Sequence, residues 1–137
     1  MILLVDDNPD DVFMTKHAFE KNSMSNRIIV AEDGEAALRL LLPEDGEPAL
    51  SPALVLLDLN MPKIGGFEVL SRLRADPRTE CLPVVILTSS SERQDRLTGY
   101  RLHCNSYVRK PVDFDEFMDT ARQLSLYWLT LNRTASC

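Results

Sequence analysis

Five short apolar segments alternate with stretches of helical periodicity along the chain, and this alternation restricts the fold more than any other feature. Apolar strands separated by amphipathic helices favour a parallel sheet with helices on both faces, since each helix must return the chain to the same end of the sheet. The predicted strands span residues 2–5, 27–31, 54–57, 83–87 and 106–109. The sequence therefore predicts a doubly wound α/β domain.

Turn and capping residues mark the predicted helix limits. Asn8-Pro9 opens the first helix and places Asp10 and Asp11 in its first turn, where carboxylates favour the positive end of the helix dipole. The three serines at 89–91 are candidates for capping the fourth helix. Residues 43–53 contain several prolines and acids and predict an exposed loop, long for a compact fold.

Polar residues stand at the ends of the first, third, fourth and fifth predicted strands. Asp6 and Asp7 follow the first strand, Asp58 the third, Thr88 the fourth and Lys110 the fifth. In a parallel sheet these positions lie at one edge, where ligands bind at the point at which the strand order reverses. The pattern therefore predicts a functional site.

The residue types at this edge favour phosphoryl chemistry. Three converging carboxylates repel one another unless a cation neutralises them, and Mg²⁺ suits Asp6, Asp7 and Asp58 better than a soft metal does. An aspartate can attack phosphorus to form an aspartyl phosphate. Lys110 would neutralise phosphoryl oxygens, and Thr88 would donate a hydrogen bond to one of them.

Four segments together resemble a response regulator receiver domain of two-component signalling. They are LLVDDNPDD at 3–11, LVLLDLNMPKIGGFEVL at 54–70, VVILTSS at 84–90 and SYVRKP at 106–111. The resemblance covers essentially the whole chain and implies a flavodoxin-like sheet of strand order 2-1-3-4-5. It implies one receiver domain over residues 1–137, with an extended C-terminal helix or tail at about 126–137.

The resemblance also implies roles for individual residues. Asp58 would be the phosphoacceptor, Asp7 and Asp58 would contact Mg²⁺ directly, and Asp6 would act mainly through water. Asn60 would offer its backbone carbonyl to the ion. Lys110-Pro111 resembles the family's usually cis peptide.

Thr88 and Tyr107 resemble the family's switching pair, and Asn60 and Ser90 the residues that tune the lifetime of the acyl phosphate. Phosphorylation would draw Thr88 toward the new oxygens and make room for the Tyr107 ring. The fourth helix, fifth strand and fifth helix would then form the output face.

The resemblance implies a signalling protein rather than an enzyme, with output through protein contacts. The expected phosphodonor is a sensor histidine kinase, and a histidine phosphotransfer protein is a further expected partner. His17 and His103 are expected to be surface residues without a part in phosphotransfer, since neither lies at a strand end.

Composition excludes other classes. With 15 Lys plus Arg against 21 Asp plus Glu, the net charge of −6 leaves no basic surface for nucleic acid or anionic membranes. No apolar run reaches membrane-spanning length, and no signal peptide is evident, so a cytoplasmic protein is expected. Cys81, Cys104 and Cys137, an odd number without CxxC spacing, are expected to be reduced thiols.

Two features are similar to the small receivers paired with phytochrome-type histidine kinases, namely the long 43–53 loop and a C-terminal extension that includes YWL. Apolar residues on more than one face of that extension are typical of an interface. We expect a homodimer to which Phe117, Tyr127 and Trp128 contribute.

The main alternative is an aspartyl phosphatase of the haloacid dehalogenase type. That class needs an acid two residues after the nucleophile and a hydroxyl two further on, where this chain has Asn60 and Pro62. An amide does not transfer protons at neutral pH, so phosphatase turnover is not expected. A flavin-binding protein lacks support because no phosphate-cradling loop follows the first strand, and a non-phosphorylated adapter is the remaining alternative.

Overall fold

Strands and helices alternate throughout the computed structural model, which describes residues 1–22 and 27–135. The elements are β1 (Ile2–Val5), α1 (Pro9–Asn22), β2 (Ile28–Ala31), α2 (Gly34–Leu41), β3 (Leu54–Leu57), α3 (Gly66–Ala75), β4 (Val84–Thr88), α4 (Arg93–Arg101), β5 (Ser106–Arg109), α5 (Phe114–Leu126) and a π-helical turn (Tyr127–Leu131).

The strands form one parallel sheet in the order β2-β1-β3-β4-β5. Ile2 of β1 pairs with Ile28 of β2 on one side and with Leu54 of β3 on the other. The chain therefore turns to one side of β1 for β2 and to the other side for β3. The predicted fold and strand order are confirmed, and the reversal of strand order lies between β1 and β3.

Alternate residues of each strand face two separate cores. Leu3, Val55 and Ile86 belong to one core together with residues of α2 and α3, whereas Leu4 and Leu56 belong to the other with residues of α1 and α5. The central strands β1, β3 and β4 are buried on both faces, which explains why they read as continuous apolar runs, whereas the edge strands β2 and β5 are only partly buried.

Some predicted boundaries are wrong by one or a few residues. β4 begins at Val84 because Pro83 has no N–H to donate to the ladder, although its carbonyl accepts from Val55 N at 3.0 Å. The residue before α4 is Glu92 rather than one of the three serines. Ser90 still supports this turn, since its Oγ accepts a hydrogen bond from Glu92 N and donates one to Asp95.

Arg74, near the end of α3, ties together the loops at the edge of the sheet opposite the predicted site. Its Nε donates to the carbonyl of His103 at 2.9 Å, and its Nη2 donates to Asn105 Oδ1 at 2.9 Å. Asn105 Oδ1 also accepts from Val84 N at 2.7 Å, at the start of β4. Three further carbonyls accept hydrogen bonds from Nη1, those of Thr79, Glu80 and Leu82.

The C-terminal extension packs against the domain only in part. Phe117 and Ala121 lie in the core, whereas Leu126, Tyr127 and Leu131 are about half exposed, at 49%, 51% and 60%. The prediction that Phe117 contributes to a dimer surface is wrong for this reason, because its 3% exposure leaves it no surface to offer. Trp128 is partly buried and meets Tyr127 edge to face, with ring centroids 5.0 Å apart.

The cysteines differ from the expectation of three reduced thiols. Cys104 is a free, buried thiol, and burial raises the pKa of its sulfur. Cys81 is disulfide-bonded, so the prediction of a reduced thiol is wrong for this residue. Cys81 lies exposed in a loop, where another thiol can reach it, whereas Cys104 is buried. Cys137 lies outside the described residues.

His17 and His103 are exposed, as predicted. Within residues 1–22 and 27–135, no helix combines the length and the apolar character needed to cross a membrane.

Candidate functional site

The polar residues that follow β1, β3, β4 and β5 meet at one edge of the sheet. Backbone hydrogen bonds extend the ladder past the strand ends, from Asp58 N to the carbonyl of Val5 at 3.0 Å and from Lys110 N to the carbonyl of Thr88 at 2.7 Å. Asp58 is thereby fixed beside the end of β1, and Lys110 beside the end of β4. The predicted convergence follows from the parallel pairing alone.

Three carboxylates form the acidic part of the site. One oxygen from each of Asp6, Asp7 and Asp58 lies within 4.8 Å of the other two. Asp6 and Asp58 are buried, at 1% and 7% exposure, whereas Asp7 is exposed. Buried carboxylates this close together require a cation, and an all-oxygen donor set with one open side fits a hard divalent ion. The residues present therefore fit a site for a hard divalent metal ion.

Lys110 provides a positive charge close to these carboxylates. Its Nζ lies 2.7 Å from Asp6 Oδ2, 3.1 Å from Asp11 Oδ2 and 3.9 Å from Asp58 Oδ1. Burial by itself lowers the pKa of the Lys110 ammonium, but the hydrogen bonds and charges of these carboxylates outweigh burial and raise the pKa. Lys110 is therefore a fixed cation at neutral pH.

Asp58 is held in an environment that disfavours its charge. Burial, the largest effect, raises the pKa of the Asp58 carboxyl, and the negative charge of Asp6 raises it further. The positive charge of Lys110 and hydrogen bonds from Thr88 and the Leu59 backbone lower the pKa, but they do not outweigh burial, so the pKa is raised. A cation beside the carboxylate opposes this rise, because it favours the ionised form that acts as a nucleophile.

Thr88, Ser90 and Tyr107 form a connected group next to Asp58. Thr88 is fully buried, and its Oγ1 accepts a hydrogen bond from Ser90 N at 3.3 Å. The Tyr107 hydroxyl donates to the carbonyl of Ser90 at 3.1 Å. The same short loop therefore contacts both members of the predicted switching pair, so a shift of the loop at Ser90 would affect Thr88 and Tyr107 together.

The loop from β3 to α3 carries Asn60, and its end at Gly66 packs closely against the backbone of Asp58. Gly66 N donates to the carbonyl of Leu59 at 3.2 Å. A Cβ at Gly66 would overlap the carbonyl oxygen of Asp58, so only glycine fits this approach. Lys63 has a φ of 64°, in the left-handed region, which marks a tight turn. Asn60, two residues after Asp58, is exposed.

The peptide bond between Lys110 and Pro111 is trans, so the expectation of a cis bond is wrong for this structure. The trans isomer is the lower in energy for an X-Pro bond, by about 0.5–1 kcal/mol. Lys110 makes its backbone contact to Thr88 and its side-chain contact to Asp6 in this isomer.

Comparison with known proteins identifies the family. The profile of the response regulator receiver domain matches residues 2–122. The probable methanogenesis regulatory protein FilR2 of Methanothrix harundinacea is 40% identical over 134 residues, which cover 98% of this chain and 86% of FilR2. The chain belongs to the response regulator receiver family. It is a signalling receiver rather than an enzyme, which removes the phosphatase alternative.

Two solved receiver structures are similar over nearly the whole chain. The Mn²⁺-bound form of response regulator Rcp1, a protein of Synechocystis, matches this structure with a TM-score of 0.87 and 30% sequence identity. The match covers 98% of each chain. The bacteriophytochrome response regulator AtBRR has a TM-score of 0.73 at 42% identity, with 96% of each chain covered. The predicted likeness to phytochrome-associated receivers is thus confirmed, and the acidic triad of this receiver is typical of a metal site.

Asp11 is the site residue that sequence reasoning missed. The sequence marked it only as an acid in the first turn of a helix, whereas its side chain makes the second-shortest ion pair of Lys110 among the described residues. A usable signal was its place in the first turn of the helix that directly follows β1, close to the strand end that carries Asp6.

Proposed function

We propose that this receiver accepts a phosphoryl group on Asp58 from a phosphohistidine of a sensor histidine kinase. The observation that carries the proposal is that Asp58 lies close both to the carboxylates of Asp6 and Asp7 and to the buried ammonium of Lys110, whose Nζ is 3.9 Å from Asp58 Oδ1. A metal ion held by the carboxylates and the ammonium would together neutralise the oxygens of a transferring phosphoryl group.

The transfer step uses groups of this chain in defined roles. An Asp58 carboxylate oxygen attacks phosphorus, the P–O bond forms as the P–N bond to the imidazole breaks, and the imidazole leaves with the electron pair and is protonated by solvent. Lys110 neutralises a phosphoryl oxygen, and the Thr88 hydroxyl donates a hydrogen bond to another.

We assign the metal in this proposal as Mg²⁺. Asp7 and Asp58 would bind it directly, Asp6 mainly through water, and Asn60 through its backbone carbonyl. When bound, the ion would neutralise the carboxylates and the incoming phosphoryl oxygens. The support is the donor set, in which the described side chains of the acidic triad offer only carboxylate oxygens.

The expected readout is a change in the loop that links Thr88 to Tyr107. A phosphoryl group adds about −1.5 to −2 charges at neutral pH and attracts the Thr88 hydroxyl. That movement would break the contact of Ser90 N with Thr88 Oγ1 and, through the Ser90 carbonyl, release the Tyr107 hydroxyl. Asn60 and Ser90 would set the lifetime of the acyl phosphate, and the face of α4, β5 and α5 would pass the signal to a protein partner.

The proposed kinase is of the phytochrome type, with a histidine phosphotransfer protein as a further partner. The support is the likeness to receivers described as phytochrome or bacteriophytochrome response regulators. A cytoplasmic location goes with this proposal, since the kinase draws on ATP. Phosphotransfer from a purified bacteriophytochrome kinase, compared at matched times with transfer from a chemotaxis-type kinase, tests the assignment, and equal rates would contradict it.

We also propose a homodimer formed through the C-terminal extension. The exposed residues Leu126, Tyr127 and Leu131 form its apolar contact, with Trp128 packed behind Tyr127. Light scattering should give a dimer mass for the wild type and a monomer mass for Tyr127→Ser combined with Leu131→Ser. A monomeric wild type at tens of micromolar would contradict this part of the proposal.

The central test is the intact mass after incubation with acetyl phosphate, with and without Mg²⁺, for the wild type and Asp58→Asn. We expect a gain of one phosphoryl group that needs Mg²⁺ and is absent from the variant. No gain in the wild type would favour a non-phosphorylated adapter. A gain that persists in Asp58→Asn would place the acceptor elsewhere.

A further inference from the structure

The ammonium of Lys110 lies near three carboxylates but makes hydrogen bonds to two of them. An ammonium has three N–H donors. Two of them are used at hydrogen-bond distance, 2.7 Å to Asp6 and 3.1 Å to Asp11, while Asp58 lies further away at 3.9 Å. Lys110 therefore makes its hydrogen bonds to the two carboxylates that are not the proposed phosphoacceptor.

The two hydrogen-bonded carboxylates differ in how readily they release Lys110. The Asp6 side chain is 1% exposed, and its Oδ1 accepts a hydrogen bond from Asn8 N at 3.0 Å, so it has no route to water. The Asp11 side chain is 37% exposed and lies in the first turn of α1. If Lys110 gives up one carboxylate, Asp11 is the one that water can rehydrate at little cost.

We propose that Asp11 is a positioning residue that competes with the phosphoryl group on Asp58 for Lys110. This inference rests on the proposed function. In the unphosphorylated receiver, Asp11 helps to hold the Lys110 ammonium 3.9 Å from Asp58. The ammonium moves toward a phosphoryl group on Asp58, so that it leaves Asp11, and the Asp11 carboxylate then turns to solvent. The strength of the Asp11 contact sets part of the affinity of the site for a phosphoryl group.

The sign of the effect follows from charge. Removing the Asp11 carboxylate takes away a competing acceptor, so Lys110 becomes more available and a phosphoryl group is bound more tightly. The free energies of partly exposed ion pairs and charged hydrogen bonds correspond to a change of about threefold to tenfold in affinity.

A neighbouring residue provides the matched control. Asp10 lies in the same first turn of α1 and carries the same charge, but the ion pairs of Lys110 within the described chain are with Asp6, Asp11 and Asp58. Asp10→Asn therefore removes one charge near the same helix terminus without removing a Lys110 contact. Any effect on long-range charge or on the helix dipole is common to both variants.

The test measures the affinity for beryllium fluoride, a non-covalent mimic of a phosphoryl group on aspartate, by calorimetry at saturating Mg²⁺. The proteins are the wild type, Asp11→Asn, Asp11→Glu and Asp10→Asn. We expect Asp11→Asn to bind the mimic about threefold to tenfold more tightly than Asp10→Asn does. Asp11→Glu, which keeps a carboxylate within reach, should return the affinity toward the wild-type value.

Equal affinities for Asp11→Asn and Asp10→Asn, or weaker binding by Asp11→Asn, would overturn the inference. If thermal melting shows that Asp11→Asn is unfolded, Asp11→Ser replaces it under the same criteria. A wild type that does not bind the mimic would instead contradict the proposed function, so the two failures are distinguishable.

Discussion

Replacing Asp58 by asparagine should stabilise the metal-free protein although it removes the proposed phosphoacceptor. The asparagine side chain is nearly the same size as that of aspartate, so the substitution removes little besides the charge. The change therefore reports whether the ionised carboxylate is a cost to folding. Because burial raises the pKa of Asp58 above its ordinary value, the folded state disfavours this charge relative to the unfolded chain.

The distances give the size of the effect. With an effective dielectric constant of about 20, attraction to Lys110 at 3.9 Å contributes about −4 kcal/mol. Repulsion from Asp6, at no more than 4.8 Å, costs at least about 3.5 kcal/mol, so these two terms nearly cancel. The desolvation of Asp58 and the screened repulsion from exposed Asp7 remain. We expect Asp58→Asn to raise the free energy of unfolding by about 1–2 kcal/mol at pH 7.

The pH dependence of this difference has a definite sign. An aspartate whose pKa is raised on folding destabilises the protein above that pKa and has no effect where the carboxyl is neutral in both states. The advantage of Asp58→Asn should therefore be full at pH values above the raised pKa of Asp58. It should shrink as the pH falls through the raised pKa of Asp58 toward the ordinary aspartate value.

The assay is urea unfolding of the wild type, Asp58→Asn and Asp10→Asn, first in EDTA and then with millimolar Mg²⁺. In EDTA, Asp58→Asn should be the most stable of the three. Mg²⁺ should raise the stability of the wild type more than that of Asp58→Asn, since a ligand that binds only the folded state stabilises it by mass action. An Asp58→Asn variant that is less stable than the wild type in EDTA would refute the electrostatic reasoning.

Two further predictions concern residues outside the charged cluster. Arg74→Met should lower the free energy of unfolding, measured in urea, by about 2–4 kcal/mol, because partly buried carbonyls lose a charged hydrogen-bond donor. The control is Arg72→Met, which removes an exposed ion pair and should change the free energy of unfolding by less than about 0.5 kcal/mol. Equal effects of the two substitutions would contradict the role of Arg74. Gly66→Ala should lower the free energy of unfolding by about 1–3 kcal/mol and weaken Mg²⁺ binding in a calorimetric titration, because a Cβ displaces the Asp58 carbonyl. Unchanged metal affinity would contradict this prediction and show that the loop accommodates the methyl group.

The sheet and the acidic triad could be predicted because each depends on information that is local in the sequence. The strands β1 to β4 are short apolar runs, and parallel pairing brings the residues that follow the strands to one edge of the sheet. Asp6, Asp58 and Lys110 needed no knowledge of side-chain conformation, since their backbones are fixed by the sheet ladder.

Contacts that depend on how a helix lies on the sheet could not be predicted in this way. Phe117 and Tyr127 both belong to an apolar stretch near the C terminus, and only the packing of α5 against α1 determines that the first is buried and the second exposed. Arg74 resembles any other basic residue in a last helical turn. Its carbonyl acceptors come from two loops separated by a helix and a strand.

For Asp11, the local sequence predicts the position of the backbone but not the partner of the side chain. Its backbone is placed by a local signal, since Asn8 Oδ1 accepts from Asp11 N at 3.2 Å and fixes the first turn of α1 beside the strand end. Its ion pair with Lys110 depends on the position of β5, because Lys110 follows β5 and lies 99 residues further along the chain. A carboxylate placed by a helix cap can thus join a site built by strand ends. For this reason the first turn of α1 should be counted with the strand ends when the charge balance around Asp58 is considered.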